Sequence, residues 1–224
     1  MAYRAVVFDL GGVVLGSPLH AIQRYERDRG FARNAINRVA AETAPNGAWS
    51  RLERGELSME SFYPAFEADC RAAGLEICAR TMFEWMAEAS QPRDSMLAAI
   101  RTIRARGLRV AALTNNWATE QPPRGGHPSD GTRSLRERFD VFIESSVEGM
   151  RKPDPRIYRL ACERLAVSPH EAVFLDDIGA NLKPARQLGL TTIKVDEPDA
   201  ALGELASILG FPLGTSAAAT DATS

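Results

Sequence analysis

Two stretches far apart in the chain end an apolar run in carboxylate and then glycine: Ala5-Val6-Val7-Phe8-Asp9-Leu10-Gly11-Gly12 and Ala172-Val173-Phe174-Leu175-Asp176-Asp177-Ile178-Gly179. Short runs of this kind read as buried strands, and the acid followed by glycine reads as the loop that leaves each strand. In an open parallel sheet such loops gather at the carboxyl edge, where ligands sit. Asp9, Asp176 and Asp177 collected there would repel one another unless a cation neutralised them. Oxygen-only donors suit a hard divalent metal. One isolated Asp after a strand is as readily a helix N-cap. Two matching edges in one chain make that reading much weaker.

The remaining pattern extends the sheet. Strands are expected at residues 5–9, 108–114, 141–145, 172–176 and 191–195, with helical patterns at 155–165 and 181–188 between the later ones. Alternating strand and helix predicts an α/β, doubly wound (Rossmann-like) parallel sheet core with right-handed crossovers. About a hundred residues separate the first two strands, far more than one crossover helix needs. That segment is helix-rich at 19–28, 34–42, 59–73 and 81–88, and breaks at Pro45-Asn46-Gly47 and Arg54-Gly55-Glu56. It is expected to be an inserted α-helical cap folding over the carboxyl edge, with 94–105 as the true crossover helix. The expected division is therefore 1–16 and 91–210 as core, 17–90 as cap, and 211–224 as a disordered low-complexity tail. Residues 120–131, with Pro122-Pro123, Gly125-Gly126 and Pro128-Ser129-Asp130-Gly131, read as a surface loop after the second strand.

Composition excludes some partners. A net charge of −2 without long charged runs gives no basis for a nucleic-acid or anionic-membrane partner. No apolar run approaches membrane-spanning length, and because Met1 to Arg4 leads straight into the first strand, no signal peptide is expected. Cys70, Cys78 and Cys162 show no metal-ligand spacing and read as reduced thiols of a cytoplasmic protein. Self-association into a homo-oligomer stays open.

Two further pieces complete a constellation. Leu113-Thr114-Asn115-Asn116 ends a strand in a hydroxyl and two amides, and Arg151-Lys152-Pro153-Asp154-Pro155 sets a lysine ahead of a helix start. Either piece alone is unremarkable: such a Thr usually serves a turn and such a Lys is usually solvated. The order Asp, Thr, Lys, Asp-Asp, each at an element junction, resembles the haloacid dehalogenase-like hydrolases, most of which are magnesium-dependent phosphatases. The resemblance spans about residues 4 to 210. It is closest to the N-terminal phosphatase domain of soluble epoxide hydrolases and to the related domain fused to acyl-CoA dehydrogenases. The segments Val173-Phe174-Leu175-Asp176-Asp177-Ile178-Gly179-Ala180-Asn181-Leu182-Lys183-Pro184-Ala185-Arg186, Phe142-Ile143-Glu144-Ser145 and Lys152-Pro153-Asp154-Pro155-Arg156-Ile157-Tyr158 carry it.

The resemblance implies a function. Asp9 would be the nucleophile, forming an aspartyl-phosphate on a small-molecule phosphate ester. Mg2+ would be held by Asp9, the Gly11 carbonyl and Asp177, with Asp176 orienting metal waters or Lys152. Thr114 and the Asn115 backbone amide would bind phosphate, and Lys152 would offset the negative charge of nucleophile and phosphoryl group. Two positions depart from the family pattern. Gly11 stands where a second Asp usually serves as general acid and base, assistance worth roughly 10²–10⁴-fold. Asn181 stands where many relatives carry another acid. Two alternatives therefore accompany the phosphatase reading: a metal-free 2-haloacid dehalogenase, in which Asp9 attacks carbon, and a non-catalytic phosphate- or metabolite-binding module.

Other features carry less. His20, His127 and His170 lie in unrelated contexts and read as surface or packing residues. Trp49 and Trp85 read as core aromatics of the insert, whereas Trp117 stands close enough to Thr114 to line a site. Gly11-Gly12 lacks the further residues of a nucleotide-binding loop.

Overall fold

The computed structural model describes residues 2–117 and 135–213; the expected loop at 120–131 lies outside them, as does the expected 211–224 tail from residue 214 on, whereas Phe211 and Leu213, counted in that tail, pack against the core. Strands β1 (Ala5–Phe8), β2 (Arg109–Thr114), β3 (Val141–Glu144), β4 (Ala172–Asp176) and β5 (Thr191–Lys194) form one sheet in the order β3-β2-β1-β4-β5. Every neighbouring pair is parallel. Helices run over Pro18–Asp28 (α1), Ala35–Glu42 (α2), Ala48–Glu53 (α3), Met59–Ala72 (α4), Ala79–Ala89 (α5), Asp94–Ala105 (α6), Ser145–Glu148 (α7), Pro155–Leu165 (α8), Gly179–Gln187 (α9) and Pro198–Leu209 (α10).

The period of two along each strand divides the core into two layers. Val6, Phe8, Val110, Ala112, Val173 and Leu175 face α6 and α10, where Met96, Ile100, Ile103 and Leu205 meet them. Ala5, Val7, Ala111, Leu113 and Phe174 face α8 and α9, against Ile157, Tyr158, Leu182 and Ala185. All four residues of β1 are fully buried, as a central strand covered on both faces must be. Each large apolar side chain so buried contributes about 1.5–3 kcal/mol.

The helices between β1 and β2 build a core of their own from Ile22, Tyr25, Ile36, Leu52, Phe62, Phe66 and Met82. Distant carboxylates supply several of their starts. Glu26 accepts from the Asn34 and Ile36 amides at 2.7 and 2.8 Å, Asp69 from the Ala48 amide at 2.8 Å, and Glu67 from the Ala79 amide at 2.8 Å. Each satisfies an otherwise orphaned N–H and sets negative charge at the positive end of a helix. The insert meets the sheet beyond the end of β2, where the Trp117 ring lies 4.9 Å from Phe83 and 6.4 Å from Trp49. Trp85 packs edge-on against Tyr25 at 5.7 Å.

Three helices lie beyond the sequence reading; α7, at four residues, is a single turn that leaves no period to read. At six residues α3 is too short to show a period, and α10 carries Gly203 in an almost wholly apolar run, which obscures its helical stripe. Among the described residues no helix is long and apolar enough to cross a membrane.

Candidate active site

Register brings the two acid-bearing edges together. Phe8 pairs with Leu175, so Asp9 stands level with Asp176, and the Asp9 amide extends the ladder to the Leu175 carbonyl at 2.9 Å. One carboxylate oxygen from each of Asp9, Asp176 and Asp177 falls within a cluster no wider than 4.8 Å. Lys152, fully buried, enters from the segment before α8 and lies 2.8 Å from Asp9 Oδ1 and 2.7 Å from Asp176 Oδ2.

Each acid has a different surrounding. Asp176 is wholly buried and saturated. Besides Lys152 it accepts from the Ile178 amide at 2.8 Å and from Asn181 Nδ2 at 3.0 and 3.1 Å. Asn181 is thus a donor to a carboxylate, where an acid would have repelled it, and its carbonyl accepts from the Tyr158 hydroxyl at 2.7 Å. Asp9 takes the Leu10 amide (2.7 Å) and Lys152 on the same oxygen, Oδ1, so Oδ2 is free of protein donors among the described residues. Asp177 has a buried Oδ1 with no hydrogen-bond partner. A buried carboxylate oxygen without a donor is strongly unfavourable unless something else satisfies it.

Charge balance points the same way. Three carboxylates and one ammonium leave two excess negative charges, the charge that one divalent cation neutralises. Burial pushes the Asp9 carboxyl well above its ordinary value; Lys152 pulls it down, and Asp176 and Asp177 push it up again. Burial and then Asp176 raise Asp177 to about 6. Burial opposes the charge on Lys152, but Asp176 and Asp9 outweigh it, so the ammonium is held above its ordinary value and stays protonated.

The glycines divide their work. Gly12 has φ +83°, and a Cβ there would lie 2.0 Å from Asp177 Oδ2, so only glycine fits beside that acid. Gly11 is outside the left-handed region, and a Cβ there would meet only the Pro18 ring, at 3.3 Å. Its side-chain space is narrow but usable.

Thr114 ends β2, buried, with its hydroxyl 3.4 Å from the Asn115 carbonyl; it makes no hydrogen bond to the acid cluster. Asn115 does more than the sequence shows. Its side chain clamps the main chain of Lys152, accepting from the Lys152 amide at 2.8 Å and donating to the Lys152 carbonyl at 3.0 Å. Asn116 ties the same loop to β3 and α7 through Ser145 Oγ (2.9 Å), Glu144 Oε1 (2.9 Å) and Ser146 Oγ (2.9 Å). Sequence reasoning missed Glu53, a buried acid of α3 paired with Arg151, 98 residues away in the chain. No local pattern marks such a pair. His20 and His170 are exposed and remote from these contacts, and His127 lies outside the described residues.

A parallel sheet whose carboxyl edge gathers acids from separated strands around one buried lysine places the protein among the α/β enzymes that work at that edge. The chain belongs to the haloacid dehalogenase-like hydrolases, whose family profile matches residues 3–189. It is 39% identical over 218 residues to acyl-CoA dehydrogenase family member 10 of Mus musculus, covering 95% of this chain and 20% of that protein. It is 36% identical over 222 residues to bifunctional epoxide hydrolase 2 of Sus scrofa, covering 95% of this chain and 40% of that one. The chain therefore spans well under half of either relative. A protein of Mycobacterium tuberculosis named as a phosphatase is 32% identical over 212 residues, with 88% of each chain covered. Among solved structures, a predicted HAD-like family hydrolase from Porphyromonas gingivalis shares the fold with a TM-score of 0.65 at 23% identity, covering 93% of this chain and 98% of that one.

Proposed function

We propose that this hydrolase is a Mg2+-dependent phosphomonoester hydrolase that acts through an aspartyl-phosphate on Asp9, with a small-molecule phosphate ester as substrate. The carrying observation is the cluster of buried Asp9 and Asp176, bridged by Lys152, with half-buried Asp177, two negative charges in excess and Asp177 Oδ1 unsatisfied. All-oxygen donors with that excess fit a hard divalent cation. Asp9, the Gly11 carbonyl and Asp177 would hold Mg2+, which when bound supplies the positive charge that lets an anion approach an anion.

The chain's own residues supply the rest. Lys152 fixes Asp9 through Oδ1 and leaves Oδ2 free to attack phosphorus. Attack forms the Asp9–phosphorus bond and breaks the bond to the ester oxygen; water then cleaves the acyl-phosphate and returns the carboxylate. Lys152 stays protonated beside both states and offsets their charge, while Asp176, anchored by Asn181, keeps it in place. The Thr114 hydroxyl and the Asn115 amide bind the phosphoryl oxygens; because the Asn115 side chain is committed to Lys152, its main chain is the part left for substrate. Gly11 has no proton to give, so leaving groups depart with little protonation help. In this reading 1–16 and 91–210 are the catalytic core and 17–90 the cap that excludes water and selects substrate.

Hydrolysis of a panel of aryl, acyl and alkyl phosphates, with and without chelator, tests the reading. Activity should require Mg2+ and should be lost in Asp9→Asn, which keeps the shape and removes the nucleophilic charge. Undiminished turnover after exhaustive chelation would sink it and restore the metal-free attack on carbon.

A further inference from the structure

Beside the apolar packing of Trp117 on Phe83 and Trp49, one carboxylate carries the polar side-chain contact of the insert's helices with the catalytic loops. Glu53, the last residue of α3, is buried, accepts from Trp49 Nε1 on its own helix at 3.0 Å, and pairs with Arg151. A longer contact of 3.5 Å joins it to Asn115 Nδ2. Among the described residues, no other side chain of α1–α5 makes a hydrogen bond or ion pair to the loops that follow β2 and β3.

Both partners adjoin the site. Arg151 immediately precedes Lys152, and the Asn115 side chain clamps the Lys152 main chain. Glu53 therefore bridges the two loops that carry Thr114–Asn115 and Lys152, from a segment that is not part of the sheet. Beside it, a Cβ at Gly55 would lie 2.3 Å from the Ser146 carbonyl, so the turn after α3 sits directly on α7. Burial disfavours the charge on Glu53 and Arg151 favours it, so the carboxylate is comfortable only while the two are together. Separating the insert from the sheet would strand Arg151 and release both loops from their common acceptor.

We infer that Glu53 is a positioning residue: through Arg151 and Asn115 it holds the Lys152 segment and the Thr114–Asn115 loop in their working arrangement only while the insert is seated on the carboxyl edge. Assembly of the site is thereby tied to seating of the insert. The inference rests on the phosphatase reading for its kinetic consequence but not for its structural one.

The test uses the full chain carrying Glu53→Gln, Arg151→Gln and both. Hydrogen exchange is the first readout: residues 114–117 and 149–154 should exchange faster in all three variants than in the natural protein. Faster exchange confined to 48–53 and the neighbouring insert helices would overturn the inference, because it would make the pair a local prop of α3. Kinetics on an aryl phosphate with Mg2+ is the second. Each single variant should lose about tenfold or more in kcat with KM changed by less than about twofold, and the double variant should be no worse than the weaker single. Additive losses, or kcat unchanged while only the melting temperature falls, would overturn it. If the natural protein hydrolyses no phosphate ester, the phosphatase reading fails, and the exchange measurement alone decides the positioning role.

Discussion

Replacing Lys152 by methionine removes the one cation that the buried acids share while keeping most of the side-chain volume. Asp9 and Asp176, both buried, then lose partners at 2.8 and 2.7 Å. Breaking a buried ion pair by deleting one member costs about 3–5 kcal/mol. In a chain of this size each kcal/mol moves the melting temperature by about 2–4 °C, so the metal-free variant should melt about 6–20 °C lower near pH 7.5. The sign of the pH dependence follows from the held-up lysine. Its folded pKa is raised, so its stabilisation is fully present below the ordinary lysine value of about 10.4 and is lost only as pH rises through the folded one. The natural protein therefore keeps it in full at pH 7.5. The variant has an escape the natural protein needs less: Asp9 and Asp177, already raised by burial, can take up protons. Its deficit should shrink toward pH 5, and it should gain more from Mg2+ than the natural protein does. Calorimetric melts at both pH values, with EDTA and with saturating Mg2+, read all three effects. A drop of less than about 2 °C at pH 7.5 in EDTA would refute the reasoning, since that is the shift expected for about 1 kcal/mol or less.

Asp177, raised from 3.8 to about 6, binds its proton more tightly folded than unfolded, so metal-free stability should fall as pH rises from about 4 to about 6. At 1.36 kcal/mol per pH unit the Asp177 share of the fall is about 2–3 kcal/mol; denaturant titrations should show the fall reduced by saturating Mg2+ and smaller in Asp177→Asn, where raised Asp9 still contributes, and an equal fall in that variant would contradict it. Gly11→Asp should raise kcat on alkyl phosphates by up to roughly 10²-fold and on aryl phosphates by much less, because only poor leaving groups need the proton. Gly11 has ordinary backbone and the Pro18 ring at 3.3 Å need yield only slightly, so the substitution is tolerable; a natural protein that handles both ester classes equally would show that a proton donor stands elsewhere.

The strands were legible because a buried strand is a local property: β1, β2 and β4 lie within a residue of their expected bounds, since continuous apolar runs closed by acid or amide need no partner to be recognised. The insert's longer helices were legible through their period, but α3 was not, because its start depends on Asp69 and its packing on α4 rather than on its own pattern. Asp9, Lys152, Asp176 and Asp177 could be named in advance as candidates for one site. Which oxygen of Asp9 is free, and which acid is saturated, could not.

What the sequence by itself determined is the inventory: apolar runs of strand length, each ending in the residue types an edge site needs, and a glycine where a proton donor is usual. Only the tertiary structure decided the pairings. The register of β1 on β4 set Asp9 level with Asp176, turned Asn181 into a donor to that acid, committed the Asn115 side chain to Lys152, made Gly12 rather than Gly11 the obligatory glycine, and placed Glu53 against Arg151. The reason is physical: burial and period are written along the chain, whereas a contact between residues far apart in it exists only once the crossovers have fixed the strand order and the sheet has brought their loops to one edge.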